Sequence, residues 1–485
     1  MVIPQKIFDE IKKDIKPPFK WTSVTVGEII KENNRIEANT FGIEGRQVRN
    51  YLKSCKWPID KLGNQFIKNI YYLGRFKRIY VDSKNGIPFI LPSQITELNP
   101  KAIKFISPLT NIDINSTKAT RDQILVTRSG TVGIVSFVNK ALLNKSLSDD
   151  IIHIDAKEYP GYVYCYLKSK TGFTLINTNY YGSIINHIEP EHLENIPIPN
   201  PSPIIKQKIN DLIKESYNLR NESNELIESA QELLRISLKL PDIEILKENV
   251  KKFDINTRLL NFTIPLNKIN NRLDASYHIP IVDLISDYIK KNSVKVINIG
   301  DEKISKKIII PGRFKRTYIT EGNGAVFFGG KQIYELDPSN KKYLSITHHE
   351  KRIKNQLILH KNMILITCSG TIGKVTIVPG HWEGWTANQH IIRVVPINDN
   401  IAGYLYAWLS SNYAFYFITR YTYGAVVDEI DNNQVAQIEI PLLENEKIQT
   451  KINDMILEAN EKRTEAYHLE QKALRILDEM VIFAK

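Results

Sequence analysis

The feature that most constrains the fold of this chain is an internal repeat, because a duplicated sequence folds into two copies of one structural unit. Residues 74–100 align with residues 312–338 without a gap, and 14 of the 27 aligned positions are identical. Unrelated segments of average composition would share about two identities. The match continues along the chain at an offset that drifts only from 237 to 243 residues. The sequence therefore predicts two structural repeats of about 240 residues each.

Each repeat contains the same motifs in the same order. The shared motifs are Arg35-Ile-Glu-Ala38 with Arg272-Leu-Asp-Ala275, Gly-Arg-Phe-Lys-Arg at 74–78 and 312–316, Ser-Gly-Thr-[Val/Ile]-Gly at 129–133 and 369–373, Tyr-Gly at 181–182 and 423–424, and Lys-Ile-Asn-Asp at 208–211 and 451–454. A block rich in Ile, Val, Tyr, Thr and Phe with glycine turns comes first in each repeat, which is typical of strands. A long helical pattern follows each block.

Both helical patterns carry apolar or small residues at heptad spacing for about five heptads. The first stripe consists of Ile205, Ile209, Leu212, Ser216, Leu219, Ser223, Leu226, Ala230, Leu233, Ser237 and Leu240. The second consists of Ile448, Ile452, Met455, Ala459, Lys462, Ala466, Leu469, Ala473, Ile476 and Met480. Each helix would span roughly 54 Å. Two copies of one heptad helix most simply pair with each other, and the alternative is that each docks on its own domain.

The predicted domain boundaries follow from these patterns. We expect a first globular domain at 1–202, a first long helix at 203–242, a second globular domain at 243–443 and a second long helix at 444–485. A proline-rich stretch, Ile196-Pro-Ile-Pro-Asn-Pro-Ser-Pro203, marks the first junction, because proline interrupts a strand and suits the start of a helix. Only Pro441 marks the second junction.

The positive charge of the chain is concentrated in the globular blocks. The net charge is +12, yet segment 204–240 is neutral and segment 444–485 carries −2, which leaves +14 on the remainder. A basic field of this kind favours a polyanionic partner such as nucleic acid. The alternative is a basic protein whose charge serves only solubility.

Other features of the composition exclude several classes of protein. No run of about 18 apolar residues suggests a membrane span, and the N-terminus lacks the apolar core of a signal peptide. The three cysteines, Cys55, Cys165 and Cys368, are far apart and lack metal-ligand spacing. Such sparse cysteines fit a reducing cytoplasm and predict neither a disulfide scaffold nor a metal site.

The paired Gly-Arg-Phe-Lys-Arg segments are candidate DNA contacts, because each places three cations around one aromatic residue. If the segment is extended, Arg75 and Lys77 share one face, and Phe76 and Arg78 share the other. Long cations bind phosphates, and arginine can also read guanine. The candidate residues are Arg75, Lys77, Arg78, Arg313, Lys315 and Arg316. A solvated basic strand is the alternative.

The Ser-Gly-Thr turns and the Tyr-Gly loops supply further candidates. Each Ser-Gly-Thr turn lies between two predicted strands, and its glycines let the backbone pass close to a phosphate or a neighbouring strand. The tyrosines could contact bases or sugars, or could simply be packed. The candidates in these loops are Arg128, Ser129, Thr131, Tyr180, Tyr181, Ser369, Thr371, Lys374 and Tyr423. Turn geometry alone is the alternative for the serines and threonines.

Motifs of catalysis are absent from the sequence. There is no Walker loop, no HExxH, no nucleophile elbow, and no Asn-Pro-Pro-Tyr or Asp-Pro-Pro-Tyr that would hold a flipped base. Ser129 and Ser369 show no histidine partner at a catalytic spacing, and we expect His348 and His349 to be a surface pair rather than a metal site. The sequence therefore predicts a chain that is not itself an enzyme.

Two globular blocks with Ser-Gly-Thr-[Val/Ile]-Gly, each followed by a long helix, resemble the specificity (S) subunit of type I restriction–modification systems over essentially the whole chain. Arg272-Leu-Asp-Ala-Ser-Tyr277 resembles the entry to a target-recognition domain in this family and in related fused restriction–methylation enzymes. Ser369-Gly-Thr-Ile-Gly-Lys374 is similar to the family pattern. The first repeat departs from it, with Ile134 where Lys374 stands.

This resemblance implies an α+β fold with two tandem target-recognition domains, each a mixed β-sheet with helices, joined by two long helices in an antiparallel coiled coil. Each domain would read one half of a split site in double-stranded DNA. The helices would set the spacer between the halves and dock methyltransferase subunits, which restriction (translocase) subunits would join. The chain itself would hold no cofactor and no metal, since S-adenosylmethionine, ATP and Mg²⁺ would act on the partner subunits.

Two other functions stay open at the sequence level. The chain could be the recognition chain of a two-component restriction–methylation enzyme whose partner carries both activities. It could also be a free-standing nuclease or methyltransferase, which the missing motifs argue against.

Overall fold

The computed structural model describes residues 23–31, 36, 38, 40–182, 185–251, 262–269, 272–424 and 426–484. Arg35 and Glu37 of the first shared motif lie outside these residues. The helices are α1 Val26–Lys31, α2 Ile43–Lys53, α3 Leu62–Gln65, α4 Pro160–Lys168, α5 Lys170–Asn177, α6 Pro190–Glu194, α7 Pro203–Ser237, α8 Ile243–Lys251, α9 Pro280–Asn292, α10 Ile346–Arg352, α11 Asp399–Leu409, α12 Ala414–Thr419, α13 Asn432–Ala436 and α14 Glu446–Leu477.

The strands of the described residues are short, with two to six residues each. The strands of the first repeat are β1 Ile59–Lys61, β2 Ile67–Tyr72, β3 Tyr80–Val81, β4 Ile87–Ile90, β5 Lys104–Ile106, β6 Ile124–Thr127, β7 Val135–Phe137, β8 Ser146–Leu147, β9 Ile151–Ala156 and β10 Pro197–Pro199. Those of the second are β11 Lys295–Asn298, β12 Ser305–Ile309, β13 Ala325–Phe328, β14 Lys342–Leu344, β15 Ile364–Thr367, β16 Val375–Ile377, β17 Thr386–Ala387, β18 Ile391–Pro396 and β19 Glu439–Leu442.

The sheets confirm that the sequence repeat is also a structural repeat. A four-stranded antiparallel sheet has the order β2-β9-β6-β7 in the first repeat and β12-β18-β15-β16 in the second. A mixed sheet has the order β3-β5-β4-β8 in the first and β14-β13-β17 in the second, with one parallel pair in each. A two-stranded ribbon, β1-β10 or β11-β19, completes each set. The architecture is therefore α+β, with mixed sheets and helices, as predicted.

The chain divides into two units. Unit 1 comprises Met1–Ile95, Pro100–Glu215 and Leu469–Lys485, and unit 2 comprises Thr96–Asn99 and Ser216–His468. Each unit thus contains most of one globular block together with a part of each long helix. The sequence-based boundaries at 202, 242 and 443 follow secondary structure rather than contacts, and they stay a prediction.

Both long helices form where the heptad pattern predicts them. Helix α7 begins at Pro203, since proline has the φ angle of a helix and needs no hydrogen-bond acceptor in the first turn. Helix α14 begins at Glu446 and passes into a π-helical turn over Asp478–Ile482. Six small residues of the heptad stripes are fully buried, and these are Ser216, Ser223, Ala230, Ala459, Ala466 and Ala473.

Each long helix is anchored to a globular block by an asparagine and a glycine. In unit 1 the backbone N–H of Gly161 donates to Asn210 Oδ1 over 2.9 Å. In unit 2 the N–H of Gly403 donates to Asn453 Oδ1, also over 2.9 Å. A Cβ at Gly403 would lie 2.2 Å from the backbone oxygen of Asn453, so only glycine permits this close approach. The shared Lys-Ile-Asn-Asp motif is therefore a docking motif.

The end of α14 is held in unit 1 by a buried carboxylate. Glu470 is fully buried, and its Oε1 accepts hydrogen bonds from Tyr164 at 2.5 Å and from Lys168 at 2.7 Å. The equivalent position in α7 is Ile227, which joins the apolar core of unit 2. The two docking sites thus share a backbone contact but differ in chemistry.

Within unit 2, segments of α7 and α14 pair in opposite directions. Ser216 Oγ donates to the backbone oxygen of Ala466 over 2.6 Å, and Lys462 Nζ lies 2.8 Å from Glu222 Oε2. As the residue number rises along one helix it falls along the other, so these segments run antiparallel. The close approach at Ser216 follows from the small side chains on both helices.

Unit 2 also contains a short segment of the first repeat, Thr96–Asn99. The backbone N–H of Leu98 donates to Tyr334 over 2.8 Å, and Glu97 and Glu335 form an antiparallel bridge. Glu97 and Glu335 occupy equivalent positions in the two repeats. The Thr96–Asn99 segment is therefore held within unit 2 by residues at and beside its own equivalent position.

Candidate nucleic-acid interface

The Gly-Arg-Phe-Lys-Arg segments contain neither helix nor strand in either repeat, and they lie beside the mixed sheet. Their side chains alternate as the sequence predicted. Arg75 and Lys77 are exposed, while Phe76 and Arg78 turn inward. The second repeat follows the same alternation, with exposed Arg313 and Lys315 and more enclosed Phe314 and Arg316. The exposed cations are the ones placed to meet a polyanion.

The inner arginines of these segments are bound to their own domains. Arg78 forms an ion pair with Asp149, and its guanidinium lies 5.4 Å from the Phe89 ring centroid. Arg316 donates to Gln389 Oε1 over 2.6 Å and lies 5.6 Å from the Phe327 centroid. Burial lowers the pKa of Arg78, but Asp149 outweighs it and the net shift is upward. These arginines hold the basic segment in place.

The Ser-Gly-Thr turn and the Tyr-Gly loop, which are far apart in the sequence, meet in space. In the first repeat the backbone N–H of Gly130 donates to the backbone oxygen of Asn186 over 3.1 Å. Ser129 and Tyr181 each form an isolated antiparallel β-bridge with His187. The glycines at 130 and 133 have φ angles of +77° and +82°, which explains the motif, because other residues rarely adopt them. The Ser-Gly-Thr turn with its exposed Thr131, the Tyr-Gly loop and His187 together form one surface, which is the rim of this repeat.

The second repeat brings the same elements together around a carboxylate. Gly370 N–H donates to the Asp428 oxygen over 2.9 Å, and Ser369 and Tyr423 each bridge to Glu429. Arg313 of the basic segment lies 3.5 Å from Glu429 Oε1. The basic segment, the Ser-Gly-Thr turn and the Tyr-Gly loop of this repeat therefore all contact Glu429. Thr371 is exposed on the same turn.

Several of the predicted contact residues already have partners inside the protein. Arg128 is buried, lies 2.6 Å from Glu189 Oε1 and stacks 4.1 Å from the Tyr72 centroid. Tyr181 also donates to Glu189, and this hydrogen bond raises the pKa of Tyr181. Burial raises the pKa of Glu189, but Tyr181 and Arg128 outweigh it, so the net shift is downward. Through Glu189, this network links the Tyr-Gly loop to the residue before the Ser-Gly-Thr turn.

Lys374 is directed away from the rim. Its Nζ lies 3.3 Å from Glu97 Oε1 and 4.8 Å from the Tyr334 ring centroid, within unit 2. The lysine thus fastens the Thr96–Asn99 segment. Tyr180 is partly buried in the first repeat, whereas Tyr423 is 44% exposed in the second.

Two residues at the rim were missed by sequence reasoning, His187 and Glu429. The expectation that Ser129 lacks a histidine partner is wrong, because Ser129 Oγ lies 2.7 Å from His187 Nδ1. The two residues are 58 positions apart, and His187 belongs to none of the motifs that the repeats share. The equivalent pair in the second repeat is Ser369 with Glu429, so the serine–histidine pair does not recur.

No group of three potential ligand residues that could hold a metal ion occurs within the part of the chain that the structure describes. Along the same residues, no helix combines the length and apolar composition needed to cross a bilayer.

Comparison with known families identifies the class of this fold. Residues 312–471 match the family model of the type I restriction modification DNA specificity domain. This part of the chain is therefore similar to a DNA specificity domain, and the match begins at the second Gly-Arg-Phe-Lys-Arg segment. The predicted resemblance to the specificity subunits of type I restriction–modification systems is confirmed.

Solved structures and curated sequences complete the comparison. An S subunit of a type I system from M. genitalium is 14% identical, with 87% of this chain and 96% of that chain covered and a TM-score of 0.30. The HsdS subunit from Thermoanaerobacter tengcongensis is 14% identical, with 87% and 95% covered and a TM-score of 0.27. Curated protein sequences return no match.

Proposed function

We propose that this chain is a non-catalytic DNA sequence-specificity subunit of a type I restriction–modification complex. The observation that carries the proposal is the match of residues 312–471 to the specificity-domain family model, in a chain whose sheets and motifs occur twice. Each repeat would read one half of a bipartite site in double-stranded DNA. The two rims differ in their side chains, so the two half-sites would differ in sequence.

The two long helices would form an antiparallel coiled coil that sets the spacer between half-sites and docks methyltransferase subunits. The antiparallel contacts within unit 2 support this arrangement. Their register places Arg220 opposite Arg463, and these buried residues are equivalent in the two repeats. About one turn of DNA, 34–36 Å, separates equivalent groove faces, which a helix pair of roughly 54 Å can span.

The chemistry would belong to the partners. Methyltransferase subunits would use S-adenosylmethionine, and restriction subunits would use ATP and Mg²⁺ for translocation and cleavage in phage defence. This chain would bind none of these cofactors and would act where the host DNA is. The Ser129–His187 contact does not argue for catalysis, because Glu429 replaces the histidine in the second repeat.

The alternative is the recognition chain of a two-component enzyme whose single partner carries both methylation and cleavage. The same target-recognition fold would serve either system. Copurification separates them, since the type I proposal requires distinct methyltransferase and restriction chains, and the alternative requires one chain with both activities.

Methylome sequencing of host DNA, with and without this gene, tests the proposal. We expect a methylated motif with two specific halves and a non-specific spacer, and its loss when the gene is deleted. A contiguous motif, or a methylome that does not change, would contradict the proposal. The purified chain alone should neither transfer methyl groups nor cut DNA.

A further inference from the structure

The residue that pairs with the tyrosine of each Tyr-Gly loop differs between the repeats, whereas the backbone hydrogen bonds of the pair are the same. In the first repeat Tyr181 and His187 exchange backbone hydrogen bonds of 2.9 and 2.8 Å. In the second, Tyr423 and Glu429 exchange bonds of 3.0 and 2.8 Å. The same pair of backbone hydrogen bonds therefore holds an imidazole side chain in one repeat and a carboxylate side chain in the other.

The serine of the neighbouring turn holds one polar atom of each of these side chains. Ser129 Oγ lies 2.7 Å from His187 Nδ1, and Ser369 Oγ lies 3.4 Å from Glu429 Oε1. Arg313 approaches the same oxygen, Oε1, of Glu429. Among the described residues, no side chain bonds His187 Nε2 or Glu429 Oε2. The contact at His187 Nδ1 or at Glu429 Oε1 thus orients each side chain, and its second polar atom, Nε2 or Oε2, is left to bond a ligand.

The surroundings favour DNA as the ligand of these atoms. Arg313 is 83% exposed and Glu429 is 34% exposed, so the carboxylate lies beside a cation that is open to solvent. A carboxylate alone would repel phosphates, but beside a phosphate-binding arginine it can accept a hydrogen bond from a base amino group. Imidazole Nε2 can instead donate to an acceptor such as guanine N7 or O6 when Ser129 donates to Nδ1.

We propose that His187 and Glu429 are equivalent base-reading residues, and that Ser129 and Ser369 orient them as positioning residues. Glu429 reads the exocyclic amino group of cytosine in one half-site. His187 reads a hydrogen-bond acceptor in the other half-site. This inference rests on the proposed function, and it assigns the difference between the half-sites to one pair of side chains.

Selection of duplexes from a randomised library with the full-length chain tests the inference. We expect the wild-type chain to select a two-part motif. Glu429→Gln, which has nearly the same shape, should shift one position of one half-site towards adenine by about five-fold or more, because an amide both donates to and accepts from adenine. The other half-site should not change.

The reciprocal variant and a matched control complete the experiment. His187→Glu should gain preference for an amino-bearing base in the opposite half-site only. Glu350→Gln removes an exposed carboxylate of the same repeat and should leave both half-sites unchanged. Ser369→Ala should weaken discrimination at the Glu429 position without changing the salt dependence of binding.

The failures are distinguishable. Variants that bind with an unchanged motif would overturn the assignment of His187 and Glu429 while leaving the proposed function intact. A wild-type chain that selects no motif would overturn the proposed function itself. Circular dichroism of each variant, compared with that of the wild-type chain, separates a change of specificity from a loss of folding.

Discussion

At the scale of single residues, the duplication has kept positions and changed their chemistry. His153 and Arg393 are equivalent, and both are fully buried in the central antiparallel sheet. His153 Nδ1 forms a hydrogen bond with Gln123 Oε1, and the His153 ring stacks on that of Tyr71 with centroids 5.0 Å apart. Arg393 donates to backbone oxygens, including that of Asn388 at 3.0 Å, and burial lowers its pKa to about 9. Each side chain suits only its own surroundings.

His153 predicts a loss of stability in acid. Burial lowers its pKa to about 4, opposed by Asp155, while an unfolded histidine keeps a pKa of about 6.5. The unfolded state therefore binds the proton first, and stability falls as the pH falls from about 6.5 towards 4. Between pH 7 and pH 5 the loss from this residue should be about 2 kcal/mol.

Urea denaturation of the full chain at pH 7 and pH 5 measures this effect. His153→Gln should lose less stability between these pH values than the wild-type chain does. His468→Gln removes an exposed histidine and should leave the difference unchanged. If His153→Gln showed the full wild-type pH dependence, the assignment to His153 would fail.

The basic segment predicts two different outcomes for neighbouring cations. Arg75→Ala and Lys77→Ala should each lower the slope of log affinity against log salt by about one, because each would remove one phosphate contact. Arg78→Ala should instead destabilise the domain by about 2 kcal/mol, since it leaves the buried Asp149 without its ion partner.

DNA affinity measured between low and moderate salt, together with denaturation, distinguishes the two outcomes. Lys53→Ala removes an exposed cation on α2 of the same unit and serves as the control. An unchanged salt slope in both Arg75→Ala and Lys77→Ala would show that this segment does not contact DNA.

At the scale of elements, the long helices depend on contact with the globular blocks as well as on each other. Asn210 of α7 accepts a hydrogen bond from the backbone N–H of Gly161 in α4. Asn453 of α14 accepts one from the N–H of Gly403 in α11. At both glycines the long helix and the shorter helix approach each other closely. Glu470 adds a buried ion pair in unit 1, whereas Ile227 and its neighbours form an apolar contact in unit 2. The difference in chemistry gives each helix segment one compatible partner.

Gly403→Ala tests this docking. The added Cβ would lie 2.2 Å from the Asn453 oxygen, so one helix must shift, at a cost of about 1–3 kcal/mol. Asn453→Ala should cost a similar amount, because it leaves the buried Gly403 N–H without an acceptor. Gly74→Ala is the control, since nothing lies within 4 Å of its Cβ position. Equal denaturation midpoints for all of these chains would refute the docking argument.

At the scale of the whole molecule, helix length should determine the spacing of the two half-sites. Inserting one heptad after Glu222 and one after Lys462 lengthens both helices by about 10.5 Å and preserves their apolar faces. The spacer of the recognised motif should therefore grow by about three base pairs. The methylome of cells that carry the altered chain measures the spacer.

Both half-sites should be retained in this variant, because the insertions lie far from the rims in sequence. An insertion of the same heptads within exposed loop residues, for example after Asn323, should leave the spacer unchanged. A variant with longer helices that still recognises the original spacer would refute the ruler hypothesis.

The sequence by itself determined the repeat, the order of its elements and the two long helices. These features depend on local signals: identities at constant offset, heptad spacing, and prolines and glycines that end or bend an element. The alternation of exposed and enclosed residues in the Gly-Arg-Phe-Lys-Arg segments is local too, and the structure bears it out. The α+β class, in contrast, was implied by the resemblance to the specificity-subunit family, which these shared motifs carry.

Only the tertiary structure decided which side chains meet. Ser129 reaches His187, and Arg313 and Ser369 reach Glu429, across 58 to 116 residues of intervening chain. Arg78, Arg128 and Lys374, which look like free cations in the sequence, are paired within the protein. Such contacts depend on strand register and loop packing, in which distant segments are brought together by burial of the core. No local pattern encodes the partner, so the candidate base-reading pair could be recognised only after the chain was folded.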